Sequence, residues 1–145
     1  MANFPPLQLI GAAVKTRLGG DATLTALAPV INDVAEDQTF PYLLVGRPTA
    51  GGWHTMGGTS AGWGWKVDVM VAAYSRYQGD LEALRIVERA VFLMNHHTFT
   101  LAGYATTICT LDEDQSPAPI ALKVEYPNKV EQRVMPARFS FWVHE

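Results

Sequence analysis

The sequence predicts an α+β domain: a mostly antiparallel sheet with two main helices packed on one face. Three observations predict it. Two stretches repeat apolar residues at spacings of three and four, the period of one helix face. Residues Gly62 to Tyr74 alternate apolar and polar at period two, the pattern of a half-buried strand. In the resulting order, helix, strands, helix, strands, the strands 40–46 and 62–74 are adjacent in sequence and can pair antiparallel through the 47–61 loop. The chain has 145 residues, the length of one domain, and no linker, repeat or low-complexity tail divides residues 1–145.

The first helix runs from Pro5 to Leu18, with Leu7, Ile10, Val14 and Leu18 on one face. Prolines open it and Gly19-Gly20 close it. Lys15 and Arg17 fall in the last turn, where the helix dipole favours cations. Asp21 to Ala28 reads as a second, short helix capped by Asp21 or Thr23 and followed by Pro29. Val30 to Val34 is a short candidate strand. Phe40 to Val45 is a stronger one, apolar almost throughout and so suited to burial on both faces.

Gly46 to Gly62 is polar and Gly-rich, and predicts a long Gly/Trp-rich hairpin loop at about 47–61. In the strand after it, Trp63, Trp65, Val67, Val69, Val71 and Ala73 share one face. Gly64, Lys66, Asp68, Met70, Ala72 and Tyr74 share the other. Gly79-Asp80 opens a second long helix reaching Met94 or Asn95, with Leu84, Val87, Ala90, Val91 and Met94 on one face. Ile86 and Leu93 widen that arc to about half the circumference, which predicts packing on the sheet plus another partner. Tyr104 to Leu111 reads as a strand, Asp112 to Pro119 as a turn, and Ala121 to Tyr126 as a short strand. Val130 to Val143 is the last strand: Phe139, Phe141 and Val143 lie on one face, and Arg138, Ser140, Trp142 and His144 on the other. Pro136 within it predicts a bulge or an edge position.

Composition excludes several functions. Charged residues are 17% of the chain, against a usual ~25%. Eleven Lys and Arg against fourteen Asp and Glu, net charge −3, leave no basic footprint for tight nucleic-acid binding. The single cysteine, Cys109, excludes an internal disulfide framework, and its apolar strand context predicts a buried structural thiol. No apolar run approaches the ~18 residues that span a bilayer. The first residues lack the pattern of a signal peptide. A soluble protein made inside a cell, with no membrane partner, is expected.

The motifs point to contact rather than chemistry. Gly51 to Gly58 lacks the Lys and following helix of a phosphate loop. His96-His97 are adjacent, and metal-binding pairs on a helix need spacings of three or four. A place at a helix C-terminus explains them better. Asp112-Glu113-Asp114 lacks the alternating ligands, Gly and distal Glu of a calcium loop, and reads as a solvated turn. No G-x-S-x-G, H-E-x-x-H or paired-carboxylate pattern occurs, so no catalytic, metal or cofactor residue is assigned and an enzyme is not expected. Three of the four tryptophans, Trp53, Trp63 and Trp65, lie in the uncharged loop or the strand start after it. Aromatic anchors in a patch poor in charge are the signature of a protein interface. The candidate interface residues are Arg47, Trp53, His54, Met56, Trp63 and Trp65.

The ordered pieces carry a resemblance. They are the helix ending Arg17-Leu18 with Leu24-Thr25-Ala26-Leu27-Ala28, the strand Phe40-Pro41-Tyr42-Leu43-Leu44-Val45, and the strand Trp65-Lys66-Val67-Asp68-Val69-Met70-Val71. The helix Leu84 to Met94 and the closing Ala137-Arg138-Phe139-Ser140-Phe141-Trp142-Val143 complete them. In this order they resemble the tail-completion or tail-terminator proteins of long-tailed bacteriophages. The resemblance runs over most of the chain. It implies a structural virion protein that forms a ring, usually a hexamer, on the head-proximal end of the tail tube. The ring ends tube polymerisation and presents a surface to the head connector. Its partners would be copies of itself, the tail tube protein and the head connector protein, with DNA passing through the lumen without specific binding. The chain departs from the better-known members in the Gly and Trp content of its 47–61 loop. Two other readings stay open: a head-completion or connector adaptor of the phage neck, and a small α+β ligand-binding module or enzyme whose site would gather His54, Arg47 and the nearby tryptophans.

Overall fold

The computed structural model describes residues 6–33, 38–54, 63–76, 81–111, 120–123 and 131–144. The first apolar stripe forms helix α1, Leu7–Gly19, which buries Ile10, Val14 and Leu18. The expected C-terminal cation Arg17 serves a different helix: its Nε donates to the Leu93 carbonyl at 3.0 Å. Helix α2, Ala22–Leu27, is capped by Asp21, whose carboxylate accepts the Leu24 amide at 2.8 Å.

The long helix α3 spans Leu81–Met94 and buries Ala83, Ile86, Val87, Ala90, Leu93 and Met94. Leu84 and Val91 are only half-buried, so the buried face is rotated from the expected one. The reason is that α3 packs on the sheet and also touches α1 and α2. The second partner demanded by its wide apolar arc is therefore inside the chain.

Among the described residues the sheet has eight strands: β1 Val30–Ile31, β2 Tyr42–Val45, β3 Thr49–His54, β4 Trp63–Ser75, β5 Ala105–Thr106, β6 Thr110–Leu111, β7 Ile120–Lys123 and β8 Glu131–His144. Strands β4 and β8 form the central antiparallel ribbon, in register from Gly64↔His144 to Ser75↔Arg133. Strands β2 and β3 lie end to end along the other side of β4. The short strands β5, β6 and β7 line the other side of β8. β1 joins β2 in parallel, so the sheet is mixed rather than purely antiparallel.

The segment expected as a loop over 47–61 carries β3 at Thr49–His54, paired residue for residue with β4. Sequence pattern missed it because Gly51 and Gly52 dilute the alternation; the long partner strand supplies the ladder regardless. Gly46 at the start of this segment is needed for close approach. Its amide donates to the Met70 carbonyl at 2.8 Å, and a Cβ there would stand 3.0 Å from that oxygen.

The expected strand over 104–111 divides into β5 and β6, because Cys109 between them bonds elsewhere. The Cys109 amide donates to the His97 carbonyl at 2.8 Å, and its carbonyl accepts the His96 amide at 2.7 Å. Pro136 sits opposite Ala72 in an unbroken register, so no bulge forms. β7 pairing ends at Val134 and β6 pairing at Phe139. Residues 135–138 thus face no strand on their outer side among the described residues, a local edge that suits a residue lacking N–H.

All three helices cover one face of the sheet. Val67, Val69, Val71 and Ala73 from β4 and Ala137, Phe139, Phe141 and Val143 from β8 form the core with them.

One cross-link within the helix layer is charged. Arg89 of α3 donates Nε and Nη2 to the two carboxylate oxygens of Asp21 at 2.8 and 2.9 Å. Arg89, then the Leu24 amide, holds the Asp21 carboxyl down at about 2. A carboxyl lowered on folding contributes stability above its unfolded value, lost as pH falls from about 4 towards 2. Asp21→Asn keeps a cap but loses the ion pair; Asp21→Ala loses both. Thermal melts at pH 7 should rank wild type above Asn above Ala, and the Asn variant should lose the pH dependence of that window. Equal melting temperatures for both variants would assign the effect to the pair alone.

Candidate functional site

Position in the ladder sorts the candidate interface residues. The β3–β4 register sets Trp53 opposite Gly64, Gly52 opposite Trp65 and His54 opposite Trp63. That register places positions 53, 54, 63 and 65 at one end of the hairpin; the side chains at 53, 54 and 63 lie outside the described residues. The Trp65 side chain is only 7% exposed and belongs to the helix-covered side, so it anchors the hairpin rather than offering a contact. Positions 49 and 51 of β3 are exposed. Met56 and the rest of 55–62 lie outside the described residues, as do Asp112-Glu113-Asp114.

Arg47 is exposed but elsewhere. It borders a cavity with Gly11, Asn32, Asp33, Val45, Gly46 and Pro48. The extended chain separates it from His54 by a distance on the order of 20 Å. A ligand site gathering His54, Arg47 and the tryptophans would have to span that separation.

The face of the sheet away from the helices brings together a patch that alternation implied but register alone could join. Lys66 pairs with Trp142, Asp68 with Ser140, and Met70 with Arg138. On the diagonal, an Arg138 Nη2 lies 3.2 Å from an Asp68 carboxylate oxygen, both side chains part-exposed. Met70 is 44% exposed, and Lys66 and His144 are exposed. The Trp142 amide donates to Thr107 Oγ1 at 2.8 Å and its carbonyl accepts the Thr107 amide at 2.9 Å. A cavity of about 440 Å³ opens beside Thr107, Trp142, Val143 and His144. The patch offers one aromatic, one thioether and a surface ion pair, groups suited to contact with protein.

The reactive residue types elsewhere are used structurally. Burial pushes the Cys109 thiol up to about 12, so it is un-ionised at neutral pH and no nucleophile. His96 takes the left-handed conformation that ends α3, φ 62°. The His97 ring meets Phe99 edge-on at 4.8 Å, and burial, then Arg17, lowers its pKa. The two histidines thus tie the end of α3 to the strand region. Among the described residues, no cluster of three His, Cys, Asp or Glu could hold a metal, and no helix is long and apolar enough to cross a membrane.

Comparison with known proteins places this architecture. A family model described as tail completion protein gp17 matches residues 12–116. That stretch runs from α1 through β6 and includes the β3–β4 hairpin. A chain from the solved virion of a native gene transfer agent particle superimposes with a TM-score of 0.73 at 18% identity, covering 95% of this chain and 96% of that one. At that identity the likeness is one of fold. No curated protein matches the chain.

Proposed function

We propose, on the premise that the chain belongs to the tail completion protein gp17 family and is a structural protein of the virion tail, that it completes the tail as a ring. The ring, usually a hexamer in the proteins the sequence resembles, would cap the head-proximal end of the tube, stop its growth and meet the head connector. No catalytic step is assigned to it. The observation that carries the reading is the family match over residues 12–116, which contains the hairpin.

The physics of a ring supports it. Head-to-tail closure needs two different contact surfaces on each subunit. The β3–β4 hairpin supplies one: β3 bears no charged Lys, Arg, Asp or Glu over Thr49–His54 and has a paired strand on one side alone among the described residues. Natural edge strands are usually blunted by charge or proline; this one is not, as suits an edge that meets a neighbour. The patch around Met70 and Trp142 is a separate surface on the same sheet. The net charge of −3 suits a lumen that conducts DNA without gripping it, since phosphate binding needs clustered Lys and Arg.

Trp53→Ala should weaken assembly far more than it lowers the melting temperature. Native mass spectrometry of the full chain, alone and with purified tail tubes, reads the assembly state. A ring or tube-end complex that Trp53→Ala depletes supports the reading. A wild-type chain that stays monomeric and ignores tubes, or that binds portals of tailless heads instead, overturns it.

A further inference from the structure

Leu81, Arg85, Glu88 and Phe92 recur along α3 at spacings of four, three and four, the spacing of a helix seam that meets another helix. All four are exposed, Leu81 at 52% and Phe92 at 70%. The opposite side of α3 is already taken by the sheet, α1 and α2, so this stripe is the helix's outer side.

Its two apolar ends differ in shape. At one end, the Arg89 guanidinium lies over the Phe92 ring, 4.7 Å from its centre. Asp21 fixes that guanidinium through two hydrogen bonds. Phe92 is thus a pre-placed anchor, which lowers the ordering cost of binding. At the other end a cavity of about 270 Å³ opens between α2 and α3, lined by Ala26, Leu27, Leu81, Glu82, Arg85 and Ile86, and Leu27 is itself 38% exposed.

The geometry points to a second copy of this chain as the occupant, with α3 packed antiparallel on α3 about a two-fold axis. Setting Phe92 opposite the partner's Leu81 also sets Arg85 opposite the partner's Glu88, because the two pairs share one midpoint on the helix. A two-fold axis repeats each contact. Phe92 then enters the partner's cavity beside Leu81 at both ends, and two opposite-charge pairs form in the middle. Arg85 and Glu88 carry no ion pair within the chain among the described residues, so their charges are available for this match. The stripe is complementary to itself in one direction only: a parallel pairing in register would set Arg85 against Arg85 and Glu88 against Glu88.

A helix of this length spans ~20 Å, so the contact is small and the dimer weak, of micromolar class or weaker. This pairing is isologous and the ring is head-to-tail, so it goes beyond the ring and stands or falls separately.

Sedimentation velocity of the full chain across a concentration series, at low and high salt, tests it. The wild type should show a monomer–dimer equilibrium weakened by salt. Arg85→Glu and Glu88→Arg should each weaken dimerisation about tenfold by placing like charges opposite each other. Their equimolar mixture should dimerise again, and so should the double exchange within one chain. Phe92→Ser should abolish the dimer with a near-native circular dichroism melt. A ring would appear instead as a larger species, sensitive to Trp53→Ala and untouched by the charge exchange. A chain monomeric at every concentration, or single exchanges that mixing does not rescue, overturns the α3 dimer.

Discussion

Val69→Asp should yield an unfolded chain, while Met70→Asp, one residue along the same strand, should fold. Val69 is 1% exposed and sits in the middle of β4 opposite Phe139 of β8, beneath the helices. A carboxylate there loses its water and finds no hydrogen-bond partner, a cost of several kcal/mol. Losing the buried valine removes about 1.5–3 kcal/mol more. A domain's whole stability is about 5–15 kcal/mol, so the native state does not survive. Met70 is 44% exposed and its register partner is Arg138, so a carboxylate there keeps water and gains a nearby cation. Soluble yield and far-ultraviolet circular dichroism separate the two outcomes. A folded Val69→Asp variant would mean the two strand faces are reversed.

Phe141→Ala should lower the melting temperature by about 10 °C, from a loss of about 3–5 kcal/mol. Phe141 is 2% exposed, and its ring lies 5.5 Å from that of Phe99. Phe99 in turn takes the edge of His97, the residue that bonds to Cys109. The phenyl ring is therefore enclosed between β8 and the segment after α3, and that segment is tied at its other end, so the space left by alanine cannot collapse. Thermal denaturation of Phe141→Ala beside Trp142→Ala gives the contrast. Trp142 is half-buried on the open face, and its loss should cost clearly less. A shift for Phe141→Ala of under ~3 °C would show that the core relaxes freely around the gap.

These two contrasts show why some of the fold was legible in the chain. The period-two run of β4 placed Val69 and Met70 on opposite faces before any partner was known, since alternation is a property of a single extended backbone. The same holds for Phe139, Phe141 and Val143 against Arg138, Ser140 and Trp142, and for the α1 stripe of Ile10, Val14 and Leu18. Asp21 as the α2 cap was legible because capping is satisfied within four residues. The site was less legible. The β3 strand was hidden because Gly51 and Gly52 carry no apolar signal, and its ladder comes from β4.

Local chemistry within a few residues thus settled the helices, the long strands and their faces, the cap and the buried thiol. Contacts between residues far apart in the chain settled the rest. Arg17 left its own helix end to bind the Leu93 carbonyl, 76 residues on, because α1 packs beside α3. Asp21 gained Arg89 from 68 residues away. Strand register brought Asp68 to Arg138, and the helix layer over one face of the sheet sank Trp65. The wide apolar arc of α3 called for a partner beyond the sheet, and the chain folded α1 and α2 over it. Burying apolar area against any available partner is favourable, and which partner is available is a property of the assembled domain.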